Sequence, residues 1–248
     1  MHGYFYGTRK EIPEEFDDYF DDGDTAVVEM DMCRGHLDDS PDCTCPVPRG
    51  RAIIGAVNAF NAAAREMRIP VIHVHAVNRK GGRDDVHGRR PAAWRRVFPM
   101  SFGPIPNSIH HNLEGTPWPE FLVEVKEEDF TVETKKRLSA FYPTDLDFLL
   151  RQLDRNTIVL TGLMTDCCVL NTAFEAANLG YRVIVPRDLT RGFDEEIEEA
   201  ALRIISLHLG LVMDSSGVRQ KWESLKRSQT STPPRRRVRA TLPGTERV

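Results

Sequence analysis

Short runs of β-branched and aliphatic residues alternate along the chain with longer segments whose apolar residues recur every three or four positions. The short runs predict strands at residues 25–30, 71–77, 130–134, 157–162, 181–186 and 211–213. The longer segments predict helices at residues 51–67, 145–153, 168–179 and 194–209. Strands and helices that alternate at this spacing are typical of a parallel sheet with helices on both faces. The pattern therefore predicts a doubly wound, mainly parallel α/β fold of three layers, similar to a Rossmann fold.

One domain at residues 25–215 accounts for this alternation, with an acidic and aromatic N-terminal extension at residues 1–24 before it. Residues 78–129 interrupt the pattern and are rich in Gly, Pro, Arg and Trp. Ordinary connections are much shorter, so we expect an irregular insertion that forms part of the wall of a site. Residues 226–248 are rich in Arg, Ser, Thr and Pro and predict a basic, flexible tail.

The composition then excludes several classes of protein. The chain has 248 residues, 40% of them hydrophobic and 28% charged, which fits one large globular domain and not a disordered or collagen-like chain. The net charge is −4 in spite of the basic tail, and an acidic body argues against a nucleic-acid partner. No apolar run approaches the ~20 residues of a membrane helix, and the N-terminus lacks the layout of a signal peptide. We therefore expect a cytoplasmic protein that binds neither nucleic acid nor a membrane.

Three reactive side chains follow predicted strands: Asp31, Lys135 and Cys168. Taken singly, they are explained as a turn residue, a solvated lysine and a buried cysteine. The carboxyl ends of parallel strands meet at one edge of a sheet, however, so the three can converge there. An ammonium and a helix N-terminus are expected to lower the pKa of the Cys168 thiol, and a carboxylate can carry its proton. Such a group suits acyl transfer from a small amide through a thioester.

The order and spacing of these residues resemble the isochorismatase-like cysteine hydrolases over roughly residues 25–213. The resemblance is carried by Val-Val-Glu-Met-Asp-Met at 27–32, by Lys135 four residues before Ser-Ala-Phe, and by Thr-Gly-Leu-Met-Thr-Asp-Cys-Cys-Val at 161–169. It implies an Asp31–Lys135–Cys168 catalytic triad, with Cys168 and not Cys167 as the nucleophile. It also implies a homo-oligomer, dimer or tetramer.

The same resemblance implies an oxyanion hole. Family members often have a cis peptide bond at the position of Leu163–Met164, which would turn the N–H of Met164, together with that of Cys168, toward the oxyanion. Phe141 matches a family position near the site, where it would supply an apolar wall. Arg34 and His36 replace the aromatic wall that many relatives have after the aspartate, and we predict that they bind substrate.

No cofactor is expected, because the chain has no glycine-rich phosphate loop. Nicotinamidase-like members of the family bind a metal through an Asp-x-His element, which this chain lacks, and we predict no metal site. Two groups of possible metal ligands are nevertheless present: the pair His73 and His75, and the cysteines Cys33, Cys43 and Cys45. Their residue types alone leave the question of a metal site open.

These features predict a hydrolase that acts on a small amide, carbamoyl or ureido compound through a thioester and releases ammonia or an amine. Two alternatives stay open. One is an ether hydrolase of the isochorismatase type that relies on Asp31 and retains activity without Cys168. The other is a non-catalytic binding module on the same fold.

Overall fold

The computed structural model describes residues 1–230 of the chain. Its strands are β1 (His2–Phe5), β2 (Thr8–Glu11), β3 (Thr25–Met30), β4 (Val71–Ala76), β5 (Phe130–Lys135), β6 (Thr157–Leu163), β7 (Arg182–Pro186), β8 (Thr190–Arg191) and β9 (Leu211–Met213). Its α-helices are α1 (Arg34–Leu37), α2 (Ile54–Glu66), α3 (Trp94–Phe102), α4 (Leu146–Gln152), α5 (Leu170–Asn178), α6 (Glu195–His208) and α7 (Ser215–Thr230).

The strands form one sheet in the order β2-β1-β9-β7-β6-β3-β4-β5, and the short β8 pairs with β6. β3 is parallel to both β4 and β6, β4 to β5, β6 to β7 and β7 to β9. The chain progresses outward through β4 and β5 on one side of β3, and through β6, β7 and β9 on the other. The order therefore reverses between β3 and β6, and ligand sites of such sheets form in the crevice at this point.

Two hydrophobic cores cover the two faces of the sheet. On one face, Val28 and Leu160 belong to a core completed by α4, α5 and α6. On the other face, Val27 and Val159 pack with α2 and with the fully buried Trp222 of α7. Successive residues of one strand point to opposite faces, so the central strands are buried on both sides. The predicted doubly wound, mainly parallel α/β fold is confirmed.

The two ends of the described chain differ from the expectation. The N-terminal extension forms the hairpin β1–β2, which joins the sheet by pairing Tyr4 with Val212 of β9. The sequence pattern does not predict α7, because most of its residues are polar; the helix is anchored by Val218 and Trp222. It continues to Thr230, so the first five residues of the tail predicted at 226–248 are helical. The rest of that tail lies outside the described residues.

Residues 78–129 connect β4 to β5 and contain α3 and a short 3-10 turn, Ser108–His110. The backbone of this connection bonds to the segment after β3, since Arg34 N–H donates to Glu120 O at 2.8 Å, and it is closed internally by the N–H of Asn78, which donates to Asn112 O at 2.7 Å. The connection is thereby held over the carboxyl ends of the strands. Over residues 1–230, the helices are all too short or too polar to cross a bilayer.

Candidate active site

A cavity of about 250 Å³ lies at the carboxyl ends of β3, β5 and β6. Asp31 directly follows β3, Lys135 is the last residue of β5, and Cys168 lies between β6 and α5. All three side chains line the cavity, which the structure thus builds from three separate strand ends.

The Lys135 ammonium lies between the other two groups. Its Nζ donates a hydrogen bond to Asp31 Oδ2 at 2.6 Å and another to Cys168 Sγ at 3.4 Å. Asp31 Oδ1 accepts the N–H of Ala76 at 3.1 Å, which fixes the second carboxylate oxygen. Asp31, Lys135 and Cys168 are all buried. An acid, an amine and a thiol therefore form one hydrogen-bonded group at the base of the cavity.

The backbone around this group is tightly constrained. Asp31 has a left-handed conformation (φ +52°), which Asp adopts more readily than most residues and which is common at functional sites. Gly162 at the end of β6 also has a positive φ, +93°, and a Cβ there would lie 2.2 Å from the carbonyl oxygen of Met30. Only glycine lets the ends of β3 and β6 come this close. The peptide bond Leu163–Met164 is cis, and both Met164 and Cys168 line the cavity.

Cys168 lies within a π-helical turn, Thr165–Val169, that precedes α5, and not at a simple helix start. A hydrogen bond with Cys167, burial and the Asp31 carboxylate raise the pKa of the Cys168 thiol, although Lys135 acts in the opposite direction. The expectation of a lowered thiol pKa is therefore wrong. Its physical reason is that a hydrogen bond with the adjacent Cys167 and burial act against the single ammonium; the sequence shows that the two cysteines are adjacent but shows neither the hydrogen bond nor the burial.

The carboxylate and the ammonium are both held in their charged forms. Burial acts to raise the pKa of Asp31, but the charge of Lys135, its hydrogen bond and the groups of His36 and Cys168 together outweigh burial, and the pKa lies below its usual value. Burial acts to lower the pKa of Lys135, yet the charge of Asp31 and the sulfur of Cys168 raise it. The group therefore rests as a carboxylate, an ammonium and a protonated thiol.

One wall of the cavity carries two histidines whose rings are 4.8 Å apart, His36 and His111. His36 Nδ1 is 2.9 Å from the carbonyl oxygen of Cys45, which can only accept, so this nitrogen carries the proton. His111 Nδ1 is 3.1 Å from the Thr44 hydroxyl, which itself donates to the carbonyl oxygen of Gly35. Burial lowers the pKa of both imidazoles, so both are neutral and each retains an unprotonated Nε2.

An apolar and aromatic part of the wall adjoins these histidines, since the Trp94 ring meets the His111 ring edge-on with centroids 5.9 Å apart. It is lined by side chains from the insertion and from the loop before α6: Trp94, Phe98, Ile105 and Phe193. Phe193 contacts Phe98 edge-on, with ring centroids 5.2 Å apart, and Asp166 accepts the Phe193 N–H at 2.9 Å. The cavity therefore offers a small molecule both apolar and polar contacts.

Of the three predicted substrate-binding residues, the structure places one in the cavity and two outside it. His36 lines the cavity. Arg34 does not: its guanidinium pairs with Asp38 at 2.9 Å and Glu120 at 3.3 Å, because α1 turns the side chain away from the strand end. Phe141 does not line the cavity either; it is buried in the core and stacks on Tyr181 at 5.6 Å. The predictions for Arg34 and Phe141 are corrected accordingly.

The residues considered for a metal are used otherwise. His73 has a carboxylate on each side, Glu29 Oε2 at 2.5 Å from Nδ1 and Asp129 Oδ2 at 3.0 Å from Nε2. The His75 ring stacks on Phe121 with centroids 4.1 Å apart. Cys33, Cys43 and Cys45 are free thiols. Across residues 1–230, His, Cys, Asp and Glu side chains nowhere gather in a group of three or more able to hold a metal ion.

Several residues of the cavity were not identifiable from the sequence, among them Asn78, His111, Asp166 and Phe193. Asn78 and His111 lie in the irregular connection, where no periodicity indicates which side chains point inward. Asp166 is two residues before Cys168, and its place within the motif at 161–169 was the one available signal. Burial raises its pKa.

Comparison with known proteins places this geometry in context. The isochorismatase domain model matches residues 25–216. Among curated proteins, the chain is 44% identical over 95 residues to the uncharacterized isochorismatase family protein YwoC of Bacillus subtilis, covering 38% of this chain and 50% of YwoC. It is 25% identical over 210 residues to N-carbamoylsarcosine amidase of Arthrobacter sp., covering 84% and 75% of the two chains. It is 32% identical over 112 residues to nicotinamidase 3 of Arabidopsis thaliana, covering 44% and 56%.

The chain thus spans only about half the length of YwoC and of nicotinamidase 3 in these matches. Among solved structures, an isochorismatase-like hydrolase from Alkaliphilus metalliredigens superposes with a TM-score of 0.66 at 28% identity, covering 80% of this chain and 98% of that one. A cysteine hydrolase from Pseudomonas syringae pv. phaseolicola shares the fold with a TM-score of 0.72 at 23% identity, covering 82% and 94%. Because the domain model matches most of the chain, from the first central strand to the start of α7, the protein belongs to the isochorismatase family of hydrolases.

Proposed function

We propose that the protein hydrolyses a small carboxamide, carbamoyl or ureido compound through a thioester on Cys168. The observation that carries this proposal is the position of the Lys135 ammonium, 2.6 Å from Asp31 Oδ2 and 3.4 Å from Cys168 Sγ, at the base of a cavity of about 250 Å³. Relatives named for amide and carbamoyl substrates, nicotinamidase 3 and N-carbamoylsarcosine amidase, support the same reaction class.

In the first step, the sulfur of Cys168 attacks the carbonyl carbon and forms the S–C bond. The thiol proton passes to the Asp31 carboxylate, and the carbonyl electron pair moves onto oxygen. The raised pKa of the thiol and the lowered pKa of Asp31 make this transfer unfavourable before substrate binds. The thiolate therefore forms together with the attack, when its charge is passed to the oxyanion, as general-base catalysis requires.

Collapse of the tetrahedral intermediate breaks the C–N bond. Asp31 returns the proton to the departing nitrogen, so ammonia or an amine leaves and the acyl group stays on sulfur. The same carboxylate then takes a proton from water, whose oxygen attacks the thioester carbon. As the S–C bond breaks, Asp31 returns this proton to the sulfur, so that the acid leaves and the Cys168 thiol and the Asp31 carboxylate are restored. Lys135 stays charged throughout and compensates the negative charge that moves between Asp31 and Cys168. We assign oxyanion binding to the N–H groups of Met164 and Cys168.

The replacement Cys168→Ala tests the proposal directly. We expect hydrolysis to fall by roughly four orders of magnitude or more, because the atom that forms the thioester is lost. The measurement is ammonia release from a panel of small carboxamides, carbamoyl compounds and ureides. Cys167→Ala is the matched control, since Cys167 also lines the cavity but is not the predicted nucleophile.

A Cys168→Ala variant with full activity would refute the thioester and favour an ether hydrolase that relies on Asp31. If Cys167→Ala loses hydrolysis to that extent and Cys168→Ala does not, the nucleophile is Cys167. Trapping of an acyl group with the mass of the substrate acid on the peptide that contains Cys168 would support the assignment independently.

A further inference from the structure

Asn78 lines the same cavity as the proposed catalytic group. It follows the last residue of β4, Ala76, by two positions, and both residues line the cavity. Ala76 N–H donates to Asp31 Oδ1 at 3.1 Å. Asn78 therefore shares the cavity with the Asp31 carboxylate, and the chain segment that carries it is bonded to that carboxylate through Ala76.

The Asn78 amide is fixed in one orientation. Its backbone is held on both sides, because its N–H donates to Asn112 O at 2.7 Å and its carbonyl accepts Glu114 N–H at 2.8 Å. Its Nδ2 donates to the carbonyl oxygen of His111 at 3.1 Å. That carbonyl can only accept, so the side-chain nitrogen must face it and the side-chain oxygen must face away.

The Asn78 side-chain oxygen has no hydrogen-bond partner among the described residues, although Asn78 is 96% buried, being 4% exposed. A buried acceptor that is left unpaired is costly, and such groups in native proteins call for an explanation. A ligand N–H in the adjoining cavity would complete its hydrogen bonding.

The neighbouring polar groups also favour a donor on the ligand. His36 and His111 are neutral, and each gives its Nδ1 proton to the protein, so each ring retains only an accepting Nε2. Two cationic side chains that line the cavity, Lys136 and Arg137, are already bonded to the protein. Lys136 Nζ donates to Val77 O, and the Arg137 guanidinium donates to backbone carbonyl oxygens.

We propose that Asn78 is a specificity-determining residue whose side-chain oxygen accepts an N–H from the nitrogen bonded to the attacked carbonyl carbon. The substrates are then carboxamides or ureides that retain at least one hydrogen on that nitrogen, and esters of the same acids lose this contact. The inference rests on the proposed function and adds to it how the nitrogen is recognised.

The test compares two substrates of one acid: the primary amide that the wild type hydrolyses fastest, and the methyl ester or methyl carbamate of the same acyl group. Both substrates give the same thioester on Cys168, so they differ only in the leaving group, which is ammonia for the amide and methanol for the ester. In Asn78→Leu we expect kcat/KM for the amide to fall roughly 10- to 100-fold, while kcat/KM for the ester changes less than about twofold.

Asn61→Leu is the matched control. Asn61 is also a buried asparagine without a side-chain partner among the described residues, but it lies in α2 and does not line the cavity. Its replacement is expected to leave the amide-to-ester ratio of kcat/KM unchanged. If Asn78→Leu does not fold, as judged by its thermal unfolding, Asn78→Ser replaces it, because serine is shorter and cannot place an acceptor at the same point.

The outcomes separate the two proposals. If the wild type shows no Cys168-dependent hydrolysis of either substrate, the proposed function fails and this inference fails with it. If the wild type hydrolyses both through Cys168 but the Asn78 variant loses them equally, or loses neither, the function stands and the role of Asn78 is overturned. Loss of the amide reaction alone supports the role.

Discussion

The Asp31–Lys135 ion pair is buried, and the replacement Lys135→Met would leave the carboxylate without its counter-ion. Asp31 would retain the N–H of Ala76 as a donor, at 3.1 Å, but would lose the ammonium at 2.6 Å. Breaking a buried ion pair at one partner destabilises a protein by about 3–5 kcal/mol. We expect a loss of this size in the free energy of unfolding, measured by urea denaturation at about pH 8.

The loss should depend on pH in a defined direction. In the wild type, the lowered pKa of Asp31 contributes stability that is present above its usual value of 3.8 and is lost as the pH falls through the lowered value. Without Lys135, burial raises the pKa of Asp31 above 3.8, so the variant loses stability as the pH rises. The difference between wild type and Lys135→Met should therefore be small near about pH 4 and largest near about pH 8.

The double variant Asp31→Asn/Lys135→Met removes both charges and should recover most of the lost stability, while remaining inactive. Lys136→Met is the control, because Lys136 is only partly buried and its ammonium is 3.5 Å from Asp84. We expect it to cost less than about 1 kcal/mol. A Lys135→Met variant that loses less than about 1 kcal/mol, or equally much at both pH values, would refute the reasoning.

Two further predictions concern the core and the cavity wall. Burial lowers the pKa of His75 to about 4 from 6.5, so its contribution to stability is present above pH 6.5 and is lost as the pH falls toward 4. His75→Phe keeps the stacking on Phe121 but removes the titrating group. As the pH falls from 6.5 to 4, the free energy of unfolding of the variant should therefore rise relative to that of the wild type by up to about 3 kcal/mol. Parallel plots of unfolding free energy against pH for the two proteins would contradict this. Phe193→Ala should raise KM about tenfold with little change in kcat, because it removes apolar contact area from the cavity. Phe174→Ala, at an exposed phenylalanine, should leave KM unchanged. Equal effects of the two replacements on KM would argue against contact between Phe193 and the substrate.

The central fold followed from periodicity because β3, β4 and β6 are buried on both faces and consist of short apolar runs. The strand ends in turn indicated where Asp31, Lys135 and Cys168 would lie. Their roles remain proposals.

The rest depended on contacts that a linear pattern does not contain. Arg34 is three residues beyond Asp31, yet α1 turns it toward Asp38 and Glu120. Asn78 reaches the cavity from a connection without periodicity, where only three-dimensional packing decides which side chains face inward. The direction of the Cys168 pKa shift depends on a hydrogen bond with Cys167 and on burial, and the adjacency of the two cysteines in the sequence indicates neither.

The cavity joins parts of different origin: its base comes from strand ends of the central sheet, and Trp94, Phe98 and Ile105 come from the connection between β4 and β5. The sheet cannot change at Gly162 without pushing β3 and β6 apart, whereas the connecting segment adds no strand to the sheet. Substitutions in the connecting segment can therefore change which compounds enter the cavity while Asp31, Lys135 and Cys168 stay in place. A mutant library confined to Trp94, Phe98 and Ile105 would be the natural starting point for changing the substrate range of this hydrolase.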